Sequence, residues 1–322
     1  MNRRAFVSGL ATGLLSASAV AAPRPSLRLW FKQEGDLLPA NSANESDIIV
    51  YAGKLILAAF NRPPMVQQVK FYDISDPTNP ILLATKPWAG AMGALLVDNN
   101  GCLHIFGSSP PAQNVDPFNS IIHSSVDQNW NLSSPNIIIG PSGLGFNNIG
   151  ACRTPNGYAL AVEQAYPNGN KAESYMVSTT PDFSSFTWKS AFYNPGSGST
   201  PTVDFTGRSR IRYMPDGWIY ITSDSGQGYC RIARTQDFVT FKFASEAVSG
   251  FIGPGPQDAY QGTVGGKPFY DGNVSWEEWT YQGQPVVYSI YFQSNETDDG
   301  SLKLGAYFGT LQSLFSKFTF QP

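Results

Sequence analysis

Five times along the chain an apolar run reaches a glycine-containing turn and is answered by a second apolar run. The segments are DIIVYAGKLILAAF from Asp47, ALLVDNNGCLHIF from Ala94, GACRTPNGYALAVE from Gly150, RIRYMPDGWIYIT from Arg210 and WEEWTYQGQPVVYSIYF from Trp276. Short apolar runs bounded by turn residues predict strands, and each pair predicts a hairpin. The turn glycines Gly53, Gly101, Gly157, Gly217 and Gly283 stand 48, 56, 60 and 66 residues apart. Recurrence on that scale predicts an all-β, five-bladed β-propeller, because one four-stranded unit cannot bury both of its faces alone. The first strand of each pair is then an inner strand, and five inner strands converge on one central channel.

The rest of each repeat fits that plan. STTPDFSSFTW and ARTQDFVTFKF each place Asp-Phe after a strand, which predicts turn aspartates (Asp182, Asp237) and aromatic plugs between blades (Phe183, Phe238). The fifth blade is expected from about Gly272 to the end, with SLKLGAYFGTLQSLFSKF as its later part. The segment around Trp30 is expected to pair with it and close the ring. Two Gly/Pro/Ser-rich loops, 194–207 and 250–275, lead into the fourth and fifth inner strands.

Composition agrees with a turn-rich β protein: 31 glycines, 24 prolines, 13% aromatic and only 14% charged residues. A net charge of −3 without Lys/Arg clusters excludes nucleic acid and anionic membrane surfaces as expected partners. Residues 1–22 carry Arg3 and Arg4, an apolar run and a small-residue end, the pattern of a cleaved export signal. The paired arginines before Phe6 resemble a twin-arginine signal; an ordinary secretory signal or an uncleaved anchor are the alternatives. The expected domains are thus the signal, 1–22, and one propeller, 23–322, periplasmic or secreted from a bacterium and monomeric. The three cysteines, Cys102, Cys152 and Cys230, fall in or beside apolar strands and are expected to be small buried thiols. His104 and His123 are the only histidines, which gives a histidine-based hydrolytic triad poor support.

Three carboxylates occupy places where a propeller presents side chains inward. Asp47 and Glu277 each stand six residues before a turn glycine, hence at matching positions of the first and fifth blades. Glu163 closes the apolar run Tyr158–Val162, where an acid is costly to bury; an ion pair with Arg153, Arg208, Arg210 or Arg212 is one explanation. Converging carboxylates are what glycoside hydrolysis needs, one protonated and one ionised. Aromatics near them, such as Trp276 and Trp279, are either sugar platforms or blade filler.

Together these segments resemble the five-bladed glycoside hydrolases of the family 43 type. Asp47 in SDIIVYAGKLILAAF resembles that family's general-base position, with Ile48 where the family has proline. Glu163 in GYALAVEQ is similar to its third-blade acid. GRSRIRYMPDGWIYIT resembles the fourth blade's opening strand, where Arg208 or Arg210 would touch substrate. Asn273, Ser275 and Glu277 stand where relatives show Asn-Asn-Ser-Asp-x-Asp. The resemblance implies a carbohydrate substrate, with Asp47 as base, Glu163 as acid, Glu277 as a tuning carboxylate, and Arg208, Arg210, Trp276 and Asn273 as substrate contacts. No cofactor is required; a structural calcium is compatible, though no dense Asp/Asn loop demands one. A non-catalytic propeller binding sugar or protein is the alternative, and a polysaccharide lyase using a histidine with Arg208 or Arg210 is a third.

Overall fold

The computed structural model describes residues 37–38, 43, 45–61, 66–109, 118–141, 143–167, 171–189, 209–224, 230–244, 263–264, 267–268, 270–294 and 301–321. The expected signal, the Trp30 segment, Arg208, loop 194–207 and most of loop 250–275 lie outside these residues, as does the side chain of Asn273.

The chain is a five-bladed β-propeller of antiparallel sheets. Blade one is β1 (Glu45–Tyr51), β2 (Lys54–Phe60), β3 (Gln68–Asp73) and β4 (Ile81–Pro87). Blade two is β5 (Ala91–Val97), β6 (Leu103–Ser109), β7 (Ser120–Val126) and β8 (Asn136–Ile139). Blade three is β9 (Gly145–Thr154), β10 (Gly157–Ala165), β11 (Lys171–Ser178) and β12 (Thr187–Trp188). Blade four is β13 (Ser209–Tyr213), β14 (Ile219–Asp224), β15 (Cys230–Thr235) and β16 (Phe241–Ala244). After a small hairpin, β17 (Thr263–Val264) with β18 (Lys267–Pro268), blade five follows as β19 (Tyr270–Tyr281), β20 (Gln284–Ser294) and β21 (Ser301–Phe308). The inner strands pack side by side in ring order, β1 against β5, β5 against β9, β9 against β13, β13 against β19, and β19 against β1.

The hairpins follow from their turn residues. Ala52-Gly53 and Gln282-Gly283 both hold two successive positive φ values, the two-residue turn whose twist suits a hairpin. Burial then sorts the strands: β1 is almost wholly buried, whereas β4 alternates between exposed and half-buried. Among the described residues the core is five wedges, one per blade interface, with a small sixth cluster of Ala91, Met92 and Phe118. Ile48, Leu57 and Tyr288 fill the wedge between blades one and five; Ile56, Phe71 and Leu95 fill that between one and two. Phe106, Leu160 and Phe183 join two to three, and Ala161, Tyr175, Ile211 and Phe238 join three to four. Phe183 and Phe238 are buried with positive φ, and the preceding aspartates accept turn amides, Asp182 from Ser184 and Asp237 from Val239 and Thr240. Both are the aromatic plugs that the repeat predicts. Each fully buried large apolar side chain contributes about 1.5–3 kcal/mol.

The end of the chain departs from expectation. Residues after β21 do not continue blade five. Thr310 caps a short helix, α1 (Leu311–Phe315), by accepting the Ser313 N–H. β22 (Phe320–Gln321) then pairs with β16, adding a fifth strand to blade four. The helix buries Leu311, Leu314 and Phe315 in the wedge between blades four and five, beside Tyr220 and Trp276. On the other side of blade five, the Leu37 N–H donates to the Leu302 carbonyl at 2.8 Å. Of the two cysteines whose side chains are described, Cys152 is the buried free thiol expected and Cys102 is a free, exposed one in the turn before β6; the Cys230 side chain lies outside the described residues. That turn is held by Asp98, which accepts the Asn100 and Cys102 amides and faces Cys102 outward.

Candidate functional site in the central channel

The inner strands all run from a start at one end of the channel to a hairpin turn at the other. Asp47 and Glu277, matched by the glycine alignment, meet in the middle through one guanidinium. Arg210 on β13 donates from Nη1 to Asp47 Oδ2 (3.0 Å) and from Nη2 to Glu277 Oε2 (3.2 Å). It also donates to the carbonyls of Ile48 (2.8 Å) and Trp276 (3.3 Å). Asp47 Oδ2 further accepts the Leu95 N–H at 2.7 Å, and Oδ1 accepts the Ser275 hydroxyl at 2.6 Å. Ser275 Oγ in turn accepts the Ile48 N–H at 2.9 Å. Glu277 accepts the Glu278 N–H and pairs with Arg212, two residues along β13 from Arg210. Alternation along β13 is what puts both arginines on the channel side.

This cluster draws on blades one, two, four and five. Asp47 and Glu277 are 1% and 0% exposed, and the groups on their oxygens named above are all donors, so the species they complete are carboxylates. Charges buried to this degree are tolerated only when paired and hydrogen-bonded, as these are. The sequence marked Asp47, Arg210 and Glu277; Arg212 was raised only as a partner for Glu163 and pairs with Glu277 instead, and Ser275 was marked only within a motif.

Glu163 is placed elsewhere. It lies on β10, opposite Asn147 near the start of β9, and is 1% exposed. The register of β9 slips between the partners of Ala161 and Glu163, and Asn148 takes a positive φ there, a β-bulge. The bulge brings two side-chain amides onto one carboxyl group: Asn147 donates to Oε1 at 3.3 Å and Asn148 to Oε2 at 3.2 Å. Its cross-strand partner on β11 is Glu173, also fully buried. Alternation sets both on the face that Ala161 and Tyr175 turn toward blade four. Glu173 and the two asparagines were not singled out in the sequence. An Asn-Asn pair inside the apolar run GFNNIGACRT, and an acid inside the strand KAESYMVS, were the available signals.

Two expected substrate contacts need correction. Trp276 is 0% exposed; its Nε1 donates to Thr222 Oγ1 at 2.6 Å and its ring meets Phe315 edge-on, so it is wedge filler and offers no face to a sugar. Arg210 spends its guanidinium on internal partners and ties strands together. Asn273 is described only by its place in β19.

Beyond the cluster, toward the hairpin turns, a cavity of about 460 Å³ lies between the ends of β1, β5, β9 and β13. Arg210 and Glu277 form part of its lining, with Arg153, Arg212, Asn99 and Thr154. The Cys152 thiol in its wall is pushed up to about 12 by burial, against the pull of Arg210 and Arg212, and stays protonated. Among the described residues no group of three His, Cys, Asp or Glu side chains is arranged to hold a metal ion.

Blade two carries a second buried polar chain. His104 Nδ1 lies 2.8 Å from His123 Nε2, His123 Nδ1 lies 2.7 Å from Asn136 Oδ1, and Asp98 sits 3.4 Å from His104 Nε2. Burial lowers the pKa of both histidines, only partly opposed by Asp98 at His104 and by Asn136 at His123.

No family sequence model and no curated protein matches the chain. Solved structures do share its fold. An α-L-arabinofuranosidase from Lactobacillus brevis superposes with a TM-score of 0.57 at 8% identity, over 85% of this chain and 93% of that one. An N-acetylgalactosamine deacetylase from F. plautii, in complex with blood group B trisaccharide, gives 0.58 at 10% identity, over 88% and 95%. An α-L-arabinanase from Penicillium chrysogenum, complexed with arabinobiose, gives 0.51 at 13% identity, over 84% and 75%. At these identities the likeness is one of fold alone: the chain shares its β-propeller architecture with these proteins.

Proposed function

We propose that this protein is an exported, carbohydrate-active propeller of the glycoside-hydrolase type. Glu163 is assigned the general acid and Asp47 the carboxylate base. Glu277 acts through Arg210 as a positioning residue for Asp47. The observation that carries the reading is the placement of Glu163, a buried carboxyl group held by Asn147 and Asn148 near the start of β9. It stands on a fold that the arabinofuranosidase and arabinanase also use. Asp47 contributes the complementary chemistry, because its hydrogen-bond donors and Arg210 complete an ionised group, the form a base requires.

A competing reading has its own support. Asp47 is almost sealed from solvent and bound from several sides, which suits a non-catalytic sugar-binding propeller with a locked axis. One experiment separates the two. The purified protein is screened on aryl glycosides and arabino-oligosaccharides beside Glu163→Gln. Hydrolysis that falls about 10²–10⁴-fold in the variant, and recovers on substrates with activated leaving groups, supports the acid assignment. Hydrolysis unaffected by Glu163→Gln overturns it, and sugar binding without any hydrolysis by the wild type selects the binding reading. Export through residues 1–22 is tested by sequencing the N-terminus of the protein recovered outside the cytoplasm; an intact leader there counts against cleavage.

A further inference from the structure

The cavity at the turn end of the channel has a composition unlike the rest of the protein. Three arginines line it against one glutamate, in a chain with few charges overall. Their roles differ. Arg210 is buried and committed to Asp47, Glu277 and two carbonyls, so it belongs to the floor. Arg212 gives one terminal nitrogen to Glu277 and is 34% exposed, leaving donors turned to the space above. Arg153 is exposed, and its side chain makes no hydrogen bond or ion pair among the described residues. Among the lining residues three guanidinium groups stand against one carboxylate, with Asp47 behind the floor, so the lining is net positive. The remaining wall includes Ile49, Val97 and Cys152, which is apolar surface, and Asn99 and Thr154 add neutral polar groups at the rim.

We propose that this cavity binds a small organic carboxylate, its head group between Arg153 and Arg212 and its apolar body against Ile49, Val97 and Cys152. The chemistry follows from the groups present. A guanidinium presents a planar fork that a carboxylate matches with two parallel hydrogen bonds. A net positive lining suits an anion, and apolar walls suit a molecule with a hydrocarbon part in preference to an inorganic ion. The volume is within the range of small-molecule sites. Glu163 and its amides lie near the opposite, strand-start end, so the pocket is separate from the proposed acid.

The test reads binding alone and is independent of hydrolysis. Butyrate and benzoate are titrated into the full-length protein at constant ionic strength, with butyramide, benzamide and chloride as matched controls, by calorimetry and thermal shift. Saturable binding of a carboxylate, absent for its amide and for chloride, is the expected result. Arg153→Ala, an exposed substitution, is expected to keep the melting temperature and weaken carboxylate binding at least tenfold; Arg153→Lys should recover part of it. Carboxylates that behave like their amides or like chloride overturn the proposal, as does Arg153→Ala that binds as tightly as the wild type.

Discussion

The carboxylates at the axis and the one in blade three are equally buried but are held in opposite ways. Asp47 and Glu277 take partners from across the ring: Arg210 is 163 residues from Asp47, and Ser275 is 228 residues away. Glu163 takes its two amides from its own blade, 16 and 15 residues back. The axis acids therefore exist as a unit only once the ring has closed. Glu163 is set by a single hairpin and its bulge. The difference teaches that burial of an acid says little about its role. A group wired through several blades is tied to closure, whereas the two amides on Glu163 come with its own hairpin.

The strongest way to break this contrast is to remove the shared guanidinium. Arg210→Met is expected to cost about 3–5 kcal/mol in chemical denaturation, because two buried carboxylates lose their common cation. A loss below about 1 kcal/mol would show that the axis cluster does not hold the ring. The locally wired histidines give a second test, read by pH. Burial lowers the pKa of His104 and His123 below 6.5, so the unfolded chain takes up protons first as pH falls. Their contribution to stability is complete above about pH 6.5 and is lost as pH drops through the folded values. The melting temperature should fall between pH 7 and 5, and His104→Gln with His123→Gln should flatten that slope; an unchanged slope refutes the coupling. Glu163→Gln should alter stability by about 1 kcal/mol or less while removing hydrolysis, sharpening the separation of fold from chemistry. Arg153→Ala should shift stability by no more than about 0.5 kcal/mol, as an exposed group outside either network.

Much of this was readable in the sequence, for a physical reason. A turn that requires positive φ leaves a glycine, and Gly53, Gly101, Gly217 and Gly283 all sit near +80° with Gly157 at +144°. Aligning those glycines placed Asp47 and Glu277 at equal heights, and the structure joins them through one arginine. What the alignment could not show was the partner set, because Arg210 reaches both acids by ring closure and no spacing within a repeat encodes that. Trp276 was misread for a related reason. Alternation sets it on the face opposite Glu277, and whether that face is open is decided by what packs there, Met214 and Tyr220 of blade four together with α1. That helix escaped notice because five residues are too few to show a helical period. Asn148 was invisible as a ligand to Glu163 because its side chain is aimed by a bulge, and a bulge breaks the alternation on which strand reading rests.

The pairing of β22 with β16 carries a consequence for the order of biosynthesis. Blade four is coded well before blade five, yet its outermost strand comes from residues 320–321, with α1 packed beneath the junction. During translation the sheet of blade four must wait, with β16 as an open edge, until all of blade five has been made. An open strand edge is a template for pairing with another chain. Between synthesis of residue 244 and of residue 321 the β16 edge is open to such pairing, and shortening the chain by its last few residues would leave it open.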